Sequence, residues 1–149
     1  MRFVIVQNVL LLVWLAGFLW NPSPRLLPDV AALPVIGVVL CLASMLVATW
    51  AFRSLGAAFR VAPQPRPGSR LATHGVYRVL RHPMYTAVCG VALGVFLLRP
   101  TWILAAMAVV MASFYLVKAH HEEQLLKSRY GQYEEYRRGS RGVLPFRKG

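Results

Sequence analysis

Residues 3–20 and 30–52 contain no Asp, Glu, Lys or Arg, and this constrains the fold more than any other feature of the chain. A helix rises 1.5 Å per residue, and about 20 mainly apolar residues cross a hydrocarbon layer of roughly 30 Å, so both runs are predicted spans. Two further apolar runs, residues 84–98 and 101–117, are separated only by Arg99-Pro100, which predicts a tight helical hairpin. A helix over residues 83–98 reaches only about 24 Å, so the third span is expected to be partial. The expected fold class is an all-α integral membrane protein with about four transmembrane helices, the last two a hairpin, and a cytoplasmic helical extension. Within a single domain, 1–149, the segments are residues 1–52, 53–82, 83–117 and 118–149. A hydrophobic content of 57% and a mean hydropathy of +0.51 exceed what a soluble core of this size requires.

The first run is long for a secretory signal and ends in Asn21-Pro22-Ser23-Pro24 without a small-x-small cleavage site, so it is expected to be retained. Cys41 and Cys89 lie inside apolar runs, where a thiol acts as a small hydrophobe; neither receives a role.

A net charge of +12 raises the possibility of nucleic acid, but the cations sort by loop. Arg2 precedes the first run, six arginines occupy residues 53–82, and eight Lys or Arg fill the tail, against only Arg25 and Arg99 in the two other loops. This is the positive-inside pattern. It predicts that both termini and the middle connector are cytoplasmic and face membrane lipids, with no nucleic-acid partner.

The connector begins rich in Arg and Pro, with Pro63, Pro65, Pro67 and Gly68 opposing regular helix. Its character then changes, because residues 71–85 read LATHGVYRVLRHPMY directly before an apolar helix. Pro83 suits the first helical position, which sets the positive end of a helix dipole beside Arg81 and His82, and such an end binds anions. An interfacial collar of cations and tyrosines facing lipid phosphates uses the same residues.

The second polar segment follows the fourth run. His120, His121, Glu122 and Glu123 lead into Tyr130-Gly131, Tyr133 and Tyr136, and four of the five acids of the chain lie here. A continuing helix puts Glu122 one turn after Lys118 and Glu123 one turn before Lys127, so within-helix ion pairs are one reading. No metal site is predicted, because adjacent positions do not share a helix face and no His-Glu-x-x-His spacing occurs. A Gly-x-Ser-x-Gly elbow and a Gly-x-Gly-x-x-Gly loop are also absent from the sequence. Gly90 and Gly94 form a Gly-x-x-x-Gly, read as a close packing face.

Gly75-Val76-Tyr77-Arg78, Arg81-His82-Pro83-Met84-Tyr85, the hairpin, Glu122-Glu123 and a tail with Tyr130-Gly131, Tyr133, Tyr136 and Pro145 together resemble the isoprenylcysteine carboxyl methyltransferase family and its phospholipid N-methyltransferase relatives. Val76 and Ala87 stand where that family often carries Pro and Gly. The resemblance covers about the last half of the chain. It implies S-adenosylmethionine held by His74, Tyr77, Arg81, His82, Tyr85, Glu122 and Glu123, with Arg81 and Glu123 catalytic. Methyl transfer to a carboxylate needs no general base, and Arg129, Arg137 or Arg138 then orients the acceptor; an amine acceptor needs a base, for which Glu123 or His121 is the first candidate. The expected acceptor is lipophilic, an isoprenylcysteine-like carboxylate or a phospholipid amine. The competing readings are an NADPH-dependent membrane reductase of the sterol type and a basic membrane scaffold.

Overall fold

The computed structural model describes residues 2–20, 22–28, 30–55 and 71–143. The Arg- and Pro-rich part of the connector, with Arg60, Arg66 and Arg70, lies outside the described residues, as does Pro145 of the family pattern.

The elements are α1 (Arg2–Leu19), α2 (Ala32–Leu55), a 3₁₀ turn (Gly75–Arg78), α3 (Pro83–Leu98), α4 (Trp102–Arg129) and α5 (Tyr133–Gly139). No strand occurs among the described residues, which pair outside helices only as two isolated bridges. Local chemistry sets the ends. Pro83 occupies the first turn of α3, where a missing N–H costs nothing, and α3 stops at Leu98, shortly before Pro100. Thr101 then caps α4, its hydroxyl accepting from Leu104 N at 3.5 Å. From there α4 runs unbroken for 28 residues, so one helix carries both the last apolar run and the polar segment beyond Val117.

The most extensive packing is between α2 and α3, and glycine makes it possible. A Cβ on Gly94 would stand 2.8 Å from Gly37 O, and one on Gly37 would stand 2.7 Å from Gly94 O. Gly90 receives the Ser44 hydroxyl. The small-residue face expected from Gly90 and Gly94 therefore faces α2, with van der Waals contact and close backbone approach in place of large side chains.

At one end of the bundle the two short connections meet: Leu26 N donates to Pro100 O at 2.6 Å, and Arg25 pairs with Thr101. At the opposite end Phe3 rests on His121 with ring centroids 5.2 Å apart, and His74 bonds Ser54 O at 2.8 Å. The long helices therefore alternate in direction, and the polar segments collect at a single end, away from Arg25 and Arg99.

The bundle turns apolar side chains outward: Leu46 is 72% exposed, Val109 65% and Val35 63%. A continuous surface of this kind is a liability in water and is the lipid-facing surface of a membrane protein. The helices α2 and α4 are long and apolar enough to cross a membrane. At 18 and 16 residues, α1 and α3 are shorter apolar helices.

Candidate functional site

The site is assembled at the polar end from the residues just before α3, the extension of α4 and the tail. Backbone pairing brings the tail in: Arg81 N donates to Arg141 O and Arg141 N to Val79 O, both at 2.8 Å. The Arg81 side chain then closes the junction. Its Nε donates to Glu123 Oε1 at 2.9 Å, and its Nη1 donates to Arg137 O at 2.8 Å and Ser140 O at 2.6 Å. Those carbonyls end α5, where a helix leaves its last C=O groups without internal partners, so the guanidinium caps α5 from outside. Tyr136 Oη adds a bond to Tyr77 O, and Thr86 Oγ1 a bond to Val143 O, each at 2.6 Å.

His82 stands between the paired glutamates, its Nε2 3.3 Å from Glu123 Oε1 and its Nδ1 3.7 Å from Glu122 Oε2. Its ring stacks on Tyr85 at 5.4 Å and 4°, and Tyr85 Oη donates to Glu122 Oε1 at 2.6 Å. Pro83 fixes the geometry of this pair: it starts α3 immediately after His82, so Tyr85 projects from the first turn beside it. Glu123 lies beyond the apolar part of α4. Burial pushes its carboxyl up, but hydrogen bonds from His82 and Arg81, with the charge of Arg81, outweigh that and hold it at about 2, ionised.

Of the residues expected from the sequence, Arg81, His82, Tyr85, Glu122 and Glu123 come together. Tyr77 lies alongside, its ring packed near Ala51, Val76 and Leu80. His74 does not join them. Gly75, at φ +59°, turns the chain between His74 and the 3₁₀ turn, and the imidazole is spent on the last turn of α2 through Ser54 O. Arg129 is exposed six residues beyond Glu123, about 9 Å along α4. Arg137 lies at the rim, 3.0 Å from Glu134 Oε1 and 3.7 Å from Glu123 Oε2, and Arg138 is exposed. The within-helix ion pairs give way to tertiary partners: Lys118 bonds Gln7 Oε1 at 2.7 Å and Lys127 lies 3.6 Å from Glu134.

Sequence reasoning missed Ser140, which contributes through its carbonyl and so leaves no side-chain signature, and Tyr115, which reads as one more apolar residue of α4. Tyr115 packs on Tyr85 with centroids 4.9 Å apart. Two buried polar atoms beside Glu123, Tyr133 Oη and Arg137 Nε, have no hydrogen-bond partner among the described residues. Arg137 Nε nevertheless faces Glu123 Oε2 at 3.7 Å as an ion pair, so the Tyr133 hydroxyl is the donor left over, and with a paired glutamate and a stacked His–Tyr face it suits a ligand with hydroxyls, an amino group and an aromatic base.

Below this cluster lies an apolar cavity of about 190 Å³ between α1, α2, α3 and α4, lined in part by Leu11, Trp14, Met84, Val88 and Met111. The molecule is thus a helical bundle with a lipid-facing apolar surface, a charged side-chain cluster at one end and an apolar cavity beneath it. Residues 33–133 match the family described as phospholipid methyltransferase, and the chain belongs to that family.

Among similar proteins, the probable protein-S-isoprenylcysteine O-methyltransferase of Oryza sativa subsp. indica is 38% identical over 80 residues, which is 52% of this chain and 41% of that protein. Protein-S-isoprenylcysteine O-methyltransferase A of Arabidopsis thaliana is 38% identical over 79 residues, covering 51% of this chain and 40% of its own. The chain thus spans about two-fifths of the length of these curated relatives. The solved structure of a eukaryotic intramembrane Ras methyltransferase, isoprenylcysteine carboxyl methyltransferase, superposes with a TM-score of 0.70 over 99% of this chain and 53% of its own, at 24% identity, and so shares the fold. The resemblance drawn from the Arg-His-Pro segment and the paired glutamates is borne out.

Proposed function

We propose that this chain is an S-adenosylmethionine-dependent methyltransferase acting on a lipophilic acceptor, and that the reaction is carboxyl O-methylation of an isoprenylcysteine-like compound. The observation that carries this is one juxtaposition: the Arg81, His82, Tyr85, Glu122 and Glu123 cluster sits at the head of an apolar cavity inside a lipid-facing bundle. Similarity to isoprenylcysteine methyltransferases supports the same acceptor.

When bound, S-adenosylmethionine supplies a methyl group already activated by its sulfonium, so a carboxylate acceptor takes it without giving up a proton. The residues have correspondingly simple work. Glu122 and Glu123 would accept hydrogen bonds from the ribose hydroxyls and amino group, and the unpartnered Tyr133 hydroxyl would donate to the ligand. His82 and Tyr85 offer a stacked face to the adenine. Arg81 holds the tail over the site and keeps Glu123 ionised, which makes it a positioning residue. Alignment and exclusion of water then provide most of the rate, as an effective-concentration gain. Phospholipid N-methylation is the second reading, favoured by the matched family description; it requires proton removal, for which Glu123 and His121 are the candidates read from the sequence.

Four helices enter the bilayer in this reading, α1 and α3 by local thinning of the bilayer, and both termini face the cytoplasm with the site, in line with the cation distribution. Reporter fusions at Pro24, Pro65 and the C-terminus are expected to place Pro24 on the far side and the other two in the cytoplasm. A far-side signal at Pro65 rejects this orientation.

Calorimetric titration of the purified protein with S-adenosylmethionine tests the site. Each of Glu122→Gln, Glu123→Gln and His82→Ala is expected to weaken affinity about 10- to 150-fold, the value of a hydrogen bond to a charged group, with the helix content unchanged by circular dichroism. Wild-type affinity in all three variants rejects the assignment.

A further inference from the structure

One hydroxyl at the site is buried with no bond to make within the protein. Tyr133, the first residue of α5, is 1% exposed, and its Oη has no hydrogen-bond partner among the described residues. Burial first, and then the carboxylate of Glu123, push its phenol up, so at neutral pH it is an O–H donor. That carboxylate is already engaged: Glu123 Oε1 takes Arg81 Nε at 2.9 Å and lies 3.3 Å from His82 Nε2, while Oε2 faces Arg137 Nε at 3.7 Å.

The second tyrosine of α5 differs in this respect alone. Tyr136 lies one turn on, its ring 6.0 Å from that of Tyr133, and its Oη donates to Tyr77 O at 2.6 Å. Arg81 and Thr86 also hold the tail by bonds to Arg137 O, Ser140 O and Val143 O. Docking of the tail therefore satisfies the Tyr136 hydroxyl but takes the Tyr133 hydroxyl out of water for no protein bond. A loss of that kind weakens an equilibrium about 5- to 150-fold.

Access to the site involves the same segment. The side chains of Arg81, His82, Glu122 and Glu123 are only 5–15% exposed, too little for a ligand the size of a nucleoside to reach them while the tail is docked. At 7 residues α5 is too short to persist by itself and is held mainly by polar bonds, whereas α2 and α3 share the most extensive packing of the molecule. The tail is the part that can part from the bundle.

Resting on the methyltransferase reading above, we propose that Tyr133 couples the ligand to the tail: its hydroxyl weakens docking of α5 in the ligand-free protein and donates to an acceptor atom of the adenosyl ligand once the tail has closed over it. The ligand then completes the docked tail. One hydroxyl loosens the free form and tightens the bound one.

The test uses the full chain in lipid nanodiscs with S-adenosylhomocysteine as the probe, and reads hydrogen exchange over residues 133–143 together with calorimetric affinity. Without the probe, Tyr133→Phe is expected to slow exchange of the tail at least about fivefold, because the unpartnered group is gone. Tyr136→Phe, which removes a bond that is made, is expected to speed it about 2- to 13-fold. The same chemical change thus acts with opposite sign at two positions one turn apart. Tyr133→Phe is also expected to weaken probe affinity at least about fivefold, and the probe should slow tail exchange less in this variant than in wild type. The proposal is overturned if Tyr133→Phe speeds tail exchange as Tyr136→Phe does, or fails to fold, since either result makes the hydroxyl a structural partner. Unchanged exchange overturns it too, as does slowed exchange with wild-type probe affinity. Failure of wild type to bind S-adenosylhomocysteine at all would instead defeat the underlying methyltransferase reading, while exchange in the two ligand-free variants still reports on the hydroxyl, which keeps the two failures distinct.

Discussion

Replacing Arg81 with methionine is expected to release the C-terminal tail from the bundle and to leave Glu123 as a partly buried charge without its main partner. The guanidinium is 9% exposed as a residue and joins three elements, through Glu123 of α4 and the carbonyls of Arg137 and Ser140 at the end of α5. Methionine fills much of the space and donates nothing. Breaking a buried pair by removing one partner typically costs about 3–5 kcal/mol, because the remaining group keeps its desolvation penalty. The α5 helix, at 7 residues, is too short to persist alone. Hydrogen exchange over residues 133–143 should therefore become fast while exchange in α2 and α3 stays slow. Lysine is expected to rescue only part of the protection, since a single ammonium cannot reproduce the fork that reaches Glu123 and two carbonyls together. Unchanged protection in Arg81→Met would show that the backbone pairing of Leu80 with Arg141 suffices to hold the tail.

A comparably large loss is expected from Gly94→Leu. A Cβ at that position already meets Gly37 O at 2.8 Å and Cys41 N at 3.2 Å. Both obstacles are backbone, so no rotamer change clears them and the two helices have to separate. Overpacking of a core side chain costs about 1–3 kcal/mol, and displacement of a whole helix belongs at or above the top of that range. The consequence reaches function as well, because α3 begins with Pro83, Met84 and Tyr85, and a shift of its axis moves Tyr85 off Glu122 and His82. Thermal unfolding in detergent should show a strongly lowered Tm for Gly94→Leu and an intermediate one for Gly94→Ala. Gly131→Ala is the control, because a Cβ there has nothing within 4 Å, and surface changes of this kind usually stay within about 0.5 kcal/mol. A wild-type Tm for Gly94→Leu would show that the α2–α3 approach is looser than its geometry.

Much of the architecture follows from the sequence because its causes are local. A bilayer has no water to satisfy backbone groups, so uncharged runs such as residues 30–52 must be helical whatever their neighbours do. Pro83 and Pro100 mark helix boundaries through sterics and a missing donor, and the distribution of Lys and Arg already separates the two ends of the bundle. The Arg-His-Pro segment and the paired glutamates could be recognised as one site because their residue types are unusual beside apolar helices. What the sequence left open was pairing at a distance. Lys118 and Glu122 are spaced for an ion pair, and so are Glu123 and Lys127, yet Lys118, Glu122 and Glu123 hydrogen-bond elsewhere, because burial strengthens tertiary hydrogen bonds over the few tenths of a kcal/mol that an exposed i,i+4 pair contributes, while Lys127 pairs at the surface with Glu134. His74 belongs to the family-like segment but turns away at Gly75 to serve α2. Ser140 holds Arg81 with a carbonyl, a group every residue possesses, so only the folded chain could single it out. Long-range contacts of that kind depend on where two distant backbones come to rest, and the tertiary structure alone decided them.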